Sequence, residues 1–206
     1  MKTYGLSVVT APTDLPVTLD QAKTQSRVEV DETYWDADLS ILIQAATALV
    51  ESRADLSICD QTRRLTLPRF PRNSCPIYVP RGPARAISSI KYDDAAGDEQ
   101  TFDAADYNLS AGERPQRIVL VDGAFWPTTE LSNPNAVRIE YTAGAASVAA
   151  VDPIARQLVL FLVAYWFRNR EAVATEGSAV VLPMAAESLL AQLGGAEEFI
   201  DYGVEP

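Results

Sequence analysis

The chain has 206 residues, 48% of them hydrophobic, and a formal net charge of -11. That length and apolar content suit one domain with an insertion, or two small ones. So acidic a chain is a poor general binder of nucleic acid, because phosphate contacts rest on Lys and Arg. The absence of histidine also removes the commonest general base and metal ligand from any mechanism.

Residues 1–17, with Pro12 and Pro16, read as an extended N-terminal arm. The opening MKTYGLSVVTAPTDLP has no long apolar core, so no secretion signal is expected. Thr18 with Gln21 three residues on is a capping box, which predicts a short helix over about Leu19 to Ser26. A second helix is expected from Thr33 to Ala54. Trp35, Leu39, Leu42, Ile43, Ala46, Leu49 and Val50 recur there at three-and-four spacing. Ala45, Ala46 and Ala48 keep its surface low, so another helix can approach closely.

From Ser57 to Ala143 the period changes to two. TRRLTLPRF alternates around Leu65 and Leu67. PIYVP is walled by prolines, as edge strands often are. AISSIKYDD leads through Gly97 to EQTFD as a hairpin, and DYNLS, QRIVLV and AVRIEYTAG follow between turn residues. Six or seven short strands are expected. Cys59 and Cys75 fit no metal spacing and read as unpaired thiols, with a disulfide as the alternative.

Asp152 can cap a third helix, with Pro153 at its first position and Arg168 and Arg170 near its end. Between Leu158 and Phe167 the only polar side-chain atoms are the Tyr165 hydroxyl and the Trp166 N–H. Ten residues at about 1.5 Å each span roughly 15 Å, half a bilayer core of about 30 Å. This is therefore a buried helix, and no membrane contact is expected. A helix apolar all round must be covered all round, either by its own domain or in part by another copy. Pro183 to Leu193 reads as a last helix ended by Gly194 and Gly195.

The fold class expected is α+β: a small bundle of four helices with an antiparallel β insertion between the second and third. Residues 18–56 and 150–193 form the helical core, 57–149 the insertion, and 194–206 an acidic C-terminal tail carrying Phe199, Ile200 and Tyr202.

Few residues point to chemistry. Phosphate-binding loops and a GxSxG elbow are absent, and no Ser-His-Asp triad can be built. No cofactor, metal or catalytic residue is assigned. Asp93, Asp94, Asp98 and Glu99 are wrongly spaced for an EF-hand and read as a solvated hairpin tip. Trp126-Pro127 reads as an aromatic corner packed on the sheet. Residues 61–90 hold Arg63, Arg64, Arg69, Arg72, Arg81 and Arg85 and no acid, leaving -17 on the rest. They read as a solvated strand face, or as a contact for an acidic protein partner or passing DNA.

One ordered set of motifs goes further: LDQAK, then QTRRLTLPRFP, Ile90 to Tyr92, Asp106-Tyr107, Arg117-Ile118, Trp126-Pro127, AVRIEYTAG and PIARQLVLFLVAYWFRNRE. Over roughly residues 15 to 193 this resembles the head–tail connector (adaptor) proteins of long-tailed phages, with their relatives in prophages and gene transfer agents. The resemblance implies a non-enzymatic ring subunit, usually of twelve copies, beneath the portal of a filled capsid. The ring extends the channel for double-stranded DNA without reading its sequence. It also docks a tail-side stopper or tail-terminator protein. Such a subunit is assembled in the bacterial cytoplasm and resides at the head–tail junction of the particle. Residues 172–206 are then expected to meet the portal, with Phe199, Ile200 and Tyr202 as anchors. Carboxylates are expected to outnumber arginines on the lumen, with the Arg63 to Arg85 stretch mainly facing protein. Two rivals predict different structures. A soluble β-rich binding module would have a defined pocket, and a carboxylate hydrolase a cleft with a carboxyl of raised pKa.

Overall fold

The computed structural model describes residues 4–72, 74–110, 112, 114–130, 132–169 and 184–194. The chain divides into two compact units, a helical one of residues 13–59 and 145–196 and a β one of residues 1–12, 60–144 and 197–206.

In the helical unit the capping box forms as its residue types require. The Thr18 hydroxyl accepts the Gln21 N–H at 3.2 Å, and Gln21 Oε1 accepts the Thr18 N–H at 3.0 Å. This starts α1, Leu19–Ser26, which ends where Arg27 turns left-handed at φ 61°. Thr18→Ala is expected to cost about 1 kcal/mol, the usual worth of a cap, measurable by urea denaturation.

The second helix, α2, runs Asp36–Arg53 and starts later than the periodicity suggests. Trp35 stands just outside it, its ring edge-on to Tyr34 at 4.5 Å and to Phe167 at 5.6 Å. The connection before it is tied down by Lys23. That side chain is buried, pairs with Asp36 at 2.6 Å and donates to the Val30 carbonyl at 2.9 Å.

The third helix, α3, is Pro153–Arg168; Asp152 accepts the Ile154 N–H at 2.8 Å. It buries Ala155, Leu158, Val159, Leu162, Val163 and Ala164, packing on α1, α2 and the last helix, α4, Met184–Leu193. Its apolar surface is not closed evenly among the described residues. Leu160, Phe161, Tyr165, Trp166 and Phe167 stay only half-buried.

Among its described residues the β unit holds eight strands: β1 Gly5–Thr10, β2 Gln61–Leu67, β3 Ile77–Val79, β4 Ala84–Asp93, β5 Glu99–Thr101, β6 Tyr107–Leu109, β7 Gln116–Leu120 and β8 Val137–Ala143. They form two antiparallel sheets, ordered β1-β2-β8-β4-β5 and β3-β7-β6. The N-terminal arm thus contributes a strand: Gly5 pairs with Thr66 and Val8 with Arg63. In β2 and β8 buried and half-buried positions alternate strictly, which is the pleat of a sheet with one covered face.

The core centres on Leu65, Ile90, Ile118, Ile139 and Tyr141. Burial of the Tyr141 hydroxyl is compensated by donation to the Pro80 carbonyl at 2.6 Å. The Gln116 side-chain amide bonds both the N–H and the carbonyl of Ala84, so one buried side chain joins the two sheets. Trp126 packs as expected, stacked on Phe70 at 4.9 Å and donating its indole N–H to the Cys75 carbonyl at 3.0 Å. No described helix is long and apolar enough to cross a membrane.

Candidate functional site

The arginine stretch does not form one basic surface. Strand alternation sends Arg63 and Arg64 to opposite faces of β2, and Arg63 is buried. Arg64 places Nε 3.0 Å and Nη2 2.5 Å from Glu140 Oε1 of β8. Arg85 pairs with Asp60. Arg63, Arg69 and Arg81 are engaged as well, and Arg72 is exposed. Two of the six positive charges read from the sequence are therefore matched by carboxylates inside the β unit.

The acidic cluster is also more than a solvated tip. Asp94 caps its own turn, accepting N–H bonds from Ala96 at 2.9 Å and Asp98 at 3.1 Å. Asp93 is gripped from two sides, by both terminal nitrogens of Arg138 at 2.5 and 3.0 Å and by Asn133 at 2.6 Å. Arg138 reaches on to Glu99 at 2.9 Å, which Lys91 meets at 2.8 Å. The Arg138 hydrogen bond holds the Asp93 carboxyl below its ordinary 3.8. The Lys91 hydrogen bond does the same for Glu99, and backbone N–H groups, that of Asp98 foremost, for Asp94. All three shifts run opposite to the one a general acid needs.

Since Asp93 is more acidic in the fold, the unfolded chain binds more protons below about pH 3.8. This contribution to stability is complete above that pH and is lost as pH falls through the folded value. Arg138→Gln is expected to flatten the acid-side loss, read from denaturation midpoints between pH 5 and 2.

The other marks of a ligand or reactive site are weak. A cavity of about 10 Å³ lies between Leu49, Val50, Arg53, Leu158, Leu162, Ala186 and Leu190, the lower limit for one water. Among the described residues no group of three or more Cys, Asp or Glu is placed to hold a metal. Both cysteines are free thiols, Cys59 buried and Cys75 exposed. Burial pushes the Cys59 thiol up to about 11, far from the reactive thiolate range.

What the surface does offer is apolar contact area. In the helical unit, Tyr34 is 76% and Ile41 64% exposed, and Ala37, Ala45 and Ala48 are exposed beside them. Ala37, Ile41, Ala45 and Ala48 recur at three-and-four spacing and line one outer face of α2, with Tyr34 just ahead of its start. The sequence reading grouped Ala46 with Ala45 and Ala48, but Ala46 belongs to the buried side. In the β unit Phe125 is 76% exposed. Phe199, Ile200 and Tyr202, the anchors expected from the sequence, lie outside the described residues.

The chain matches no protein-family model and has no significant match among curated proteins. Its fold is nevertheless that of chains in gene transfer agent (GTA) particles. It is similar to a chain of the neck of an empty GTA particle computed with C6 symmetry, at 24% identity and TM-score 0.74, covering 92% of this chain and 95% of that one. It is similar to a chain in the virion of a native GTA particle, at 23% identity and TM-score 0.75, covering 96% and 98%. A third likeness is to the neck of a native GTA particle computed with C12 symmetry, at 24% identity and TM-score 0.67, covering 92% and 94%.

Proposed function

We propose that this chain is a head–tail connector subunit, a structural protein of a virion or GTA-like particle that acts without catalysis. The observation that carries the reading is the likeness to neck chains over more than nine-tenths of both partners. Copies stand in a ring, twelve by analogy with the C12 neck. The ring lies beneath the portal, prolongs the DNA channel and docks a tail-side stopper or terminator.

Several features of the chain suit that role. A ring subunit needs two lateral faces, because head-to-tail contacts close when the rotation per copy is right. The low outer face of α2, with Ile41 standing from small neighbours, supplies apolar area for one. Half-buried Leu160, Phe161, Tyr165, Trp166 and Phe167 supply area that a neighbour can finish covering. A channel must let phosphates slide, so an acidic lining that repels them serves better than an arginine lining that binds them. With Arg64 on Glu140 and Arg85 on Asp60, two of the arginines of residues 61–90 are already matched by carboxylates, which supports that stretch mainly facing protein. A ring with Arg63, Arg64, Arg69, Arg72, Arg81 and Arg85 aimed at its axis would refute that part.

The test is electron microscopy of particles made without this chain. DNA-filled heads and separate tails are the expected products, restored to whole particles by adding the purified protein. Normal yields of joined particles without it would end the proposal.

A further inference from the structure

The charged residues of α2 are of two kinds. Asp36 is bound to Lys23 at 2.6 Å, and Glu51 Oε1 accepts the Ile58 N–H at 2.8 Å. Asp38 and Arg53 are exposed. These two stand at opposite ends of the helix. At about 1.5 Å per residue they lie about 22 Å apart along it, too far to pair within one chain. Between them runs the outer stripe of Ala37, Ile41, Ala45, Ala48 and Ser52, all exposed. Only Ile41, 64% exposed, stands high on it. At about 100° per residue, Asp38 and Arg53 fall on one side of this stripe and Gln44 on the other.

We propose that the free chain pairs with a second copy through this face, the two α2 helices running antiparallel about a two-fold axis at Ala45. Reversal about that residue sets Ile41 of each copy over Ala45, Ala48, Leu49 and Ser52 of the other. Four residues so spaced form the hole that a knob of a facing helix fills. The same reversal brings Asp38 level with the second copy's Arg53 to within about 1.5 Å along the axis, on the same side of the stripe. Symmetry repeats the pair. On the other side Gln44 meets its own counterpart, and an amide can both donate and accept. Parallel pairing sets Asp38 against Asp38 and Arg53 against Arg53, so charge selects the antiparallel form. The alanines allow the axes to approach to about 8 Å. The stripe fits its own reverse in shape and in charge, and that self-complementarity, the mark of a two-fold contact, names a second copy as the occupant.

Each copy offers a strip about 27 Å by 10 Å, short of the about 1,200 Å² of total surface that stable complexes bury. The pair is therefore weak and parts readily. It does not rest on the ring reading. Where that reading holds, the ring needs the same face laterally, and pairing withholds it until a chain is added.

Sedimentation equilibrium of the purified full chain between about 1 μM and 1 mM tests the pairing. A reversible monomer–dimer equilibrium is expected. Ile41→Asp should abolish the dimer, with circular dichroism showing the fold unchanged. Asp38→Arg and Arg53→Asp should each weaken dimerisation roughly tenfold, since two repulsive contacts replace two attractive ones. The variant carrying both reversals should recover the parent's affinity. A monomer throughout that range overturns the inference. So does a dimer that Ile41→Asp leaves intact, or a loss in the single reversals that the double does not rescue. A larger closed assembly of the free chain overturns it too, while sparing the ring reading.

Discussion

Chains lacking residues 195–206 are expected to fold as the full chain does and to leave heads unjoined to tails. The fold should survive because, among the described residues, the helical core ends at Leu193 and the β core at Ala143, and the Gly194 N–H that closes α4 on the Leu190 carbonyl at 2.8 Å is retained. Joining should fail because Phe199, Ile200 and Tyr202 are the proposed anchors on the portal. Buried aromatic anchors are each worth about 2–4 kcal/mol in an interface. Loss of even two weakens binding by roughly a thousandfold. Circular dichroism with thermal melting checks the first half, and a head-joining assay in micrographs the second. Undiminished joining by the truncated chain would show that the portal contact lies elsewhere.

The largest expected effect on stability is at Leu158 of α3, which is 1% exposed and faces α2 and α4. Leu158→Ala removes three buried carbons and leaves a void beside the cavity already there. Core changes of this kind cost about 2–5 kcal/mol, against a total of about 5–15 for a typical domain. The midpoint of urea unfolding should fall sharply with the slope unchanged. Ile41→Ala, on the exposed face of α2, should shift the same midpoint by less than about 0.5 kcal/mol. A Leu158 variant as stable as the parent would contradict the buried placement of α3.

The contrast between those two leucine and isoleucine sites bears on what the amino-acid order makes legible. Local rules worked where the cause is local. Thr18 and Gln21 are three residues apart, Asp152 and Ile154 two, and the alternation of β2 is visible in seven consecutive residues. Pairings between distant residues were not legible. Nothing in GLSVVT says that it lies beside QTRRLTL, some sixty residues on, and the arm therefore read only as extended. Asp93 and Arg138 are 45 residues apart, so the acids looked solvated although Arg138 holds two of the four, Asp93 and Glu99. The link between the two sheets depends on Gln116 meeting Ala84 across 32 residues. Arg63 was counted as surface charge because arginine usually is, although its strand phase, matching Leu65 and Leu67, marks it as inward-facing. Of the proposed contact surfaces, α2 was half legible: its alanines signalled a low face, but the exposure of Ile41 needed the positions of α1, α3 and α4.

One small contact governs what change the protein can tolerate. Where the chain leaves the helices after Ile58 and where it returns at Ala145, the two segments touch: Cys59 and Ala145 form a parallel bridge, and the Ala145 N–H donates to the Ile58 carbonyl at 3.0 Å. Residues 60 to 144 thus leave and re-enter the helical part of the chain through a clasp of adjacent residues. Lengthening or shortening any hairpin inside it leaves the spacing of the clasp unchanged, so the helices need not readjust. Variation inside that loop of chain can therefore leave the packing of the helices intact.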